Sequence, residues 1–361
     1  MFNQNEFFKE LKVVELASVL AGPAVGMFFA ELGAQVIKIE NKQGGDVTRS
    51  WKNMNESKDD VASAYYYSVN WMKKVLQLDL TDPQDREELH HQLMNADVLI
   101  TNFKSGDDIK FQLKREELTR RYPKLIIGEI HGYSNSDKVA FDAVLQAETG
   151  FMAMNGTPDS GPVKMPIAMI DILAAHQLKE GILLALIYRL KSTKGSVIKV
   201  SLFDTAISSL ANQASNWLNS QFESPRMGSL HPNIAPYGET FNTRDDKLLL
   251  LAIGNDRQFK SFCRLIGAAE LSVDDRFAIN SQRVLNRTQL SEIIASRIIK
   301  GDLTYWLTLF EKYKIPSGAV NNISEVFQNA AAQKKIVEEI EADGRISKRV
   351  ETIAFKINYG N

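Results

Sequence analysis

The sequence predicts an α/β protein, with a large domain built on a mostly parallel sheet and a smaller α+β domain after it. Three observations carry this reading. Strand-like apolar runs alternate with helix-like runs over the first half of the chain, the connections between them are short, and near Ser220 the texture changes to a turn-rich stretch. Short alternating elements need crossover helices, which leave parallel strands sandwiched between two helical layers. At 361 residues the chain exceeds what one core fills, so two domains are expected. The boundaries are set at 1–220 for the large domain and 221–330 for the small one, with 331–361 returning to the large domain.

The elements follow in order. Residues 11–16 read as a strand, 24–32 as a helix closed by Gly33, and 35–40 as a second strand, which makes a βαβ unit. The alternation continues with strand 75–80, helix 83–95, strand 97–103, helix 115–122 and strand 125–132. A long helical run covers 177–191, then a strand at 197–202 and a helix at 204–213. The loop 221–233, with Pro225, Gly228 and Pro232, marks the crossing between domains. Beyond it come strands at 239–242 and 247–253 and helices near 258–265, 289–300 and 303–313. The charged stretch 337–361 reads as one helix and a last strand.

Composition excludes several function classes. With 43 basic and 44 acidic residues the net charge is -1, so no broad attraction for nucleic acid is expected. No apolar run reaches membrane-spanning length and residues 1–12 lack a secretory core, so a cytoplasmic protein without membrane contact is expected. Cys263 is the only cysteine, which excludes intrachain disulfides and cysteine-based zinc clusters; its apolar surroundings suit a structural thiol. No metal is expected, since the five histidines show no ligand spacing and neither H-E-x-x-H nor G-x-S-x-G occurs.

Asp171 is the leading candidate for chemistry. It lies in the apolar stretch 166–175, immediately before the long helical run. A carboxylate there either caps the helix or reacts; burial would raise its pKa, and a helix N-terminus would hold it ionised. The first βα turn, Ala17 to Pro23, places helix N–H groups where an anion binds, although it lacks the glycines of a dinucleotide fingerprint. Asn102 and Phe103 end a strand, the edge where open α/β sheets bind ligands. Phe103 offers a stacking face, and Lys73, Lys74 and Lys110 offer charge for phosphates. His131 also ends a strand.

Read in order, these segments resemble the family III CoA-transferases. The matching pieces include Leu16 to Pro23, Leu32 to Glu40, Ala96 to Phe103, Val200 to Asp204, His231 to Tyr237, Gly254 to Phe259 and Ile315 to Asn321. Together they cover about residues 11–330. The resemblance implies a Rossmann-like large domain that binds CoA, and two chains interlocked as a homodimer. It implies acyl-CoA and a small carboxylic acid as substrates, with coenzyme A moved from a donor to a free acid. The nucleophile would be Asp171, passing through an aspartyl–acyl anhydride and an aspartyl–CoA thioester.

Position by position, Val19, Leu20 and Ala21 would line the CoA site, and Asn102 and Phe103 would contact the ligand. Lys74 and Lys110 would stand at phosphates in place of the family's arginines, and His131 would lie near the active site. Three departures stand out. Asn41 replaces a basic residue, Trp71-Met72 interrupts an N-x-N-K pattern before Lys73, and 215–233 lacks a glycine-rich loop. An α-methylacyl-CoA racemase is the alternative, disfavoured because Phe141 stands where its histidine would be expected. A CoA-binding homologue without activity is the third reading.

Overall fold

The computed structural model describes residues 6–341 and 344–357. The chain divides into two compact units. The first holds Met1–Phe151, Lys164–Leu218 and Lys334–Asn361; the second holds Met152–Val163 and Asn219–Gln333. The expected boundaries had left 152–163 in the large domain. Such a short excursion carries no compositional break in the sequence.

The first unit is built on six strands, β1 (Lys12–Leu16), β2 (Gln35–Glu40), β3 (Lys73–Gln77), β4 (Val98–Thr101), β5 (Ile126–His131) and β6 (Val197–Ser201). Their order is β3-β2-β1-β4-β5-β6, and every neighbouring pair is parallel. The expected parallel α/β sheet is found. Strand order reverses between β1 and β4, and such reversals open a crevice at the carboxyl ends of the strands.

The period of two in each strand builds both faces. Val13, Val36, Val98, Ile100 and Ile126 join Val25 and Phe29 of the Ala21–Glu31 helix and Leu178 and Ile182 of the Met169–Ser192 helix in one core. Val14, Ile39, Leu99 and Ile127 face the other way, onto Leu89 and Leu93 of the Pro83–Met94 helix and Leu118 of the Arg115–Arg121 helix. Two glycines let the long helix lie close to the sheet. A Cβ on Gly181 would sit 2.6 Å from Ile198 Cγ2, and one on Gly128 would sit 3.0 Å from Leu178 Cδ1.

Several expectations are corrected. The long helix starts at Met169, well before 177, so Asp171 lies inside its first turn. The first helix starts at Ala21 and Pro23 is its third residue, where a missing N–H still costs nothing because no intrahelical partner exists there. Helix 204–213 is two helices, Leu202–Ser208 and Ala211–Ser220, broken where Ala211 takes a left-handed φ of 48°.

In the second unit β7 (Tyr237–Asn242), β8 (Leu248–Ala252) and β9 (Ser317–Ala319) form an antiparallel sheet. It packs on Phe259, Phe262, Cys263, Ile294, Ile298, Trp306 and Phe310 from three helices. Cys263 is fully buried and burial pushes its thiol up to about 12, as a structural thiol requires.

The C-terminal stretch is not a helix and a strand. It returns to the first unit as a hairpin, β10 (Ile336–Ile340) against β11 (Ile346–Val350), while 358–361 lie outside the described residues. Its charge made it look helical, but Glu31 claims it: Arg349 and Thr352 both donate to that carboxylate.

Candidate active site

The turn after β1 is held from two sides. Asn102, just past β4, accepts from Ser18 N–H at 3.1 Å and donates to Ser18 C=O at 2.9 Å. This double bond pair ties the two strand ends across the point where strand order reverses. Val19 takes a φ of 72°, a left-handed conformation that costs a β-branched residue energy and marks a constrained loop. Among the described residues no side chain caps the helix that follows, so the Leu20–Ala21 end keeps backbone donors that an anion could meet.

A buried charge cluster supports this turn. Lys38 Nζ donates to Ala17 C=O at 2.7 Å and pairs with Glu15 at 2.9 Å and Asp46 at 3.0 Å. Burial works against the Lys38 charge, but Glu15 and Asp46 outweigh it and raise the pKa. Asp46 in turn accepts from Val19 N–H. Lys73 closes the cluster, donating to Glu15, Asn70 and Pro23 C=O.

Asp171 is the second residue after Met169 in the long helix, and it is only 9% exposed. The capping alternative does not hold. The N-cap position belongs to Ala168, which has no side-chain donor or acceptor, and the cap is supplied by Asp142, whose Oδ1 accepts from Ile170 N–H at 2.8 Å. Among the described residues nothing donates a hydrogen bond to the Asp171 carboxylate. Burial, and after it the negative charge of Asp142, pushes its pKa up to about 7.

His131 finishes β5 with its side chain 37% exposed and Nε2 3.2 Å from Glu129 Oε2. Arg115 grips the same carboxylate through two bonds of 2.8 Å. Burial would raise Glu129, but the hydrogen bonds from His131 and Arg115 prevail and hold it at about 2. The histidine thus has an ionised carboxylate behind it, which fixes the ring.

A cavity of about 610 Å³ joins most of the expected residues. Val19, Leu20, Ala21, Asn102, Phe103, His131 and Asp171 all line it, with Gly132, Phe141, Lys199 and Ser201. Its walls come from the carboxyl ends of β4, β5 and β6 and the segments following β1, β4 and β5, the carboxyl edge of the sheet. Asn102 and Phe103 also line a second cavity of about 270 Å³, together with Lys110 and Asn41. Lys74 lines neither. On β3 the side chains alternate, so Lys73 turns inward to Glu15 and Lys74 is exposed.

Sequence reading missed Asp142, Gln146, Glu129, Arg115 and Tyr65. Burial first, and then the charges of Asp171, Asp142 and Asp46, push the Tyr65 phenol up to about 12. Glu129, inside an apolar strand run, was the one carrying a visible signal. The others sit in ordinary polar sequence and are brought in by the fold.

A family model described as CoA-transferase family III matches residues 8–360. The chain is 36% identical over 342 residues to the succinate–glutarate CoA-transferase of Agrobacterium fabrum, covering 93% of this chain and 85% of that protein. It is 32% identical over 321 residues to the succinyl-CoA:glutarate CoA-transferase of Homo sapiens, covering 88% and 72%. A crystal structure of a CAIB/BAIF family protein from Brucella suis matches with a TM-score of 0.81 at 35% identity, covering 96% of this chain and 91% of that one. The chain belongs to CoA-transferase family III.

Proposed function

We propose that this enzyme moves CoA between carboxylic acids through covalent intermediates on Asp171. The observation that carries the reading is a buried carboxylate with no hydrogen-bond donor among the described residues, opening on the large cavity at the carboxyl edge of the sheet. An anion stripped of water and of donors is a stronger nucleophile than a solvated one. With a pKa of about 7 it is substantially ionised at neutral pH.

The steps of the proposed reaction are those that the resemblance to family III CoA-transferases implies. The Asp171 carboxylate attacks the thioester carbonyl of an acyl-CoA, forming an aspartyl–acyl anhydride and releasing CoA thiolate. The thiolate attacks the aspartyl carbonyl, leaving an aspartyl–CoA thioester and the donor's free acid. An acceptor carboxylate reverses the two steps, and the thioester's energy is kept without ATP. Backbone donors of the Asp171 helix end and of the Leu20–Ala21 turn would meet the oxyanions.

Val19, Leu20, Ala21, Asn102 and Phe103 would hold CoA, Lys110 would meet phosphate, and His131 would lie beside the acyl group. Lys74 is left out of the proposed CoA path, being exposed on β3 away from both cavities. Because the Agrobacterium fabrum and Homo sapiens relatives are named for succinate and glutarate, short dicarboxylic acids are the proposed donor and acceptor class.

We place the protein in the cytoplasm as a homodimer. Leu184, Ile187 and Tyr188, exposed at i, i+3 and i+4 on the long helix, support a subunit contact. Asp171→Ala is expected to lose transfer by at least roughly a thousandfold while still binding CoA, read by mass spectrometry over a panel of acyl-CoAs and free acids. Near-normal turnover in that variant would overturn the mechanism.

A further inference from the structure

The helix that carries Asp171 has no cap of its own, and the residue that supplies one lies on another helix. Asp142 opens the Asp142–Glu148 helix and is 7% exposed; its Oδ1 accepts from Ile170 N–H at 2.8 Å. Its Oδ2 accepts from Gln146 Nε2 at 2.6 Å. Gln146, 1% exposed, uses its own Oε1 to accept from Met165 N–H at 2.8 Å. The pair therefore grips the chain at both ends of the stretch that leads into Asp171.

The two neighbouring carboxylates are treated oppositely. Asp142 receives two hydrogen bonds, and Asp171 receives none among the described residues. Without Asp142, the free N–H groups of the first helical turn would draw the nearest acceptor, and Asp171 is already in that turn.

We propose that Asp142, held by Gln146, is a positioning residue: it caps the nucleophile's helix from outside, so that the Asp171 carboxylate faces the cavity with no hydrogen bond to break before it attacks. The inference rests on the reading of Asp171 as nucleophile. A second effect is electrostatic, because the Asp142 charge adds to burial in disfavouring the Asp171 anion. The Asp171 charge also acts on Tyr65, and the cavity wall it opens on carries His131, Glu129, Arg115, Lys199, Lys104, Asp108, Tyr133, Asp137 and Lys138.

Asp142→Asn and Asp142→Ala in the full chain separate the two effects. Asn keeps an amide oxygen for Ile170 N–H and removes the charge, losing also the acceptor that Gln146 Nε2 uses; Ala removes cap and charge together. For Asp142→Asn the expected result is a kcat within roughly tenfold of the parent, and an acidic limb of the kcat–pH profile moved down by roughly one unit. For Asp142→Ala, kcat should fall roughly ten- to a hundredfold while KM for acyl-CoA stays within about threefold, as expected for a displaced nucleophile. Should the Ala variant fail to fold, judged by its melting curve, Gln146→Leu decides alone: it releases Asp142 Oδ2 and Met165 N–H, so kcat should fall while KM for acyl-CoA stays within about threefold, and a parental kcat would overturn the proposal.

A parental kcat in a folded Asp142→Ala would overturn the proposal and leave the role of Asp171 untouched. Conversely, full turnover in Asp171→Ala, or hydroxylamine that never captures Asp171 in the parent during turnover, would remove the nucleophile itself, whatever the Asp142 variants do.

Discussion

At Asp171 burial and the Asp142 charge raise the carboxyl to about 7, against 3.8 in ordinary surroundings, and this couples reactivity to stability. Between those values the unfolded chain is ionised while the folded one keeps its proton, so the unfolded state binds fewer protons and stability falls as pH rises. The contribution is fully present below 3.8 and gone above about 7. Asp171→Asn removes the penalty. It is expected to stabilise the substrate-free enzyme at pH 8 by about 2–4 kcal/mol relative to the parent, with little difference near pH 4, in denaturant unfolding at the two pH values. Equal effects at both would mean that the carboxylate is not strained in the fold. The kcat–pH profile should climb through an acidic limb near neutrality, since in the proposed mechanism only the anion attacks.

The element that sets the site is the Met169–Ser192 helix, whose distance from the sheet is fixed by Gly181 against Ile198 and Gly128 against Leu178. Ile198 is β-branched and on a strand, so it cannot swing aside for a methyl group 2.6 Å from its Cγ2. In Gly181→Ala the gain in helix propensity, about 1 kcal/mol, is opposed by overpacking of about 1–3 kcal/mol. The net expectation is a melting temperature lowered by a few degrees, together with reduced kcat because the helix moves with Asp171 on it. In an Ile198→Ala background the cost of Gly181→Ala should largely vanish, and additive effects in that double-mutant cycle would refute the packing argument.

For the whole molecule the proposed homodimer makes a concrete claim about mass. Light scattering should give twice 40.5 kDa, and the melting temperature should rise with protein concentration if folding and pairing are linked. Leu184→Glu with Tyr188→Glu should lower the mass toward that of one chain if the exposed apolar face is buried in the pair. A protein that stays at 40.5 kDa at all concentrations would contradict the proposal.

Much of the fold was legible because local pattern and global architecture agree in it. The valine- and isoleucine-rich runs at 11–16, 35–40 and 125–132 sit in a doubly covered parallel sheet and had to be strands, and the Asn102 and Phe103 edge followed from strand polarity alone. Asp171 stood out since a charge in an apolar run always needs a reason. What the chain could not announce is which reason applies. Capping and catalysis ask for the same residue at the same place, and the cap itself was taken by Asp142, a residue distant in sequence. Lys73 and Lys74 show the same limit: adjacent letters with equal charge, separated by the pleat into a buried partner of Glu15 and an exposed side chain. Arg349 of β11 and Thr352 after it likewise meet Glu31, which no local pattern in 337–361 contains. Periodicity reports what a residue does to its immediate neighbours, whereas ionisation, capping and cavity walls depend on which distant groups share the same few ångströms, and only tertiary packing decides that.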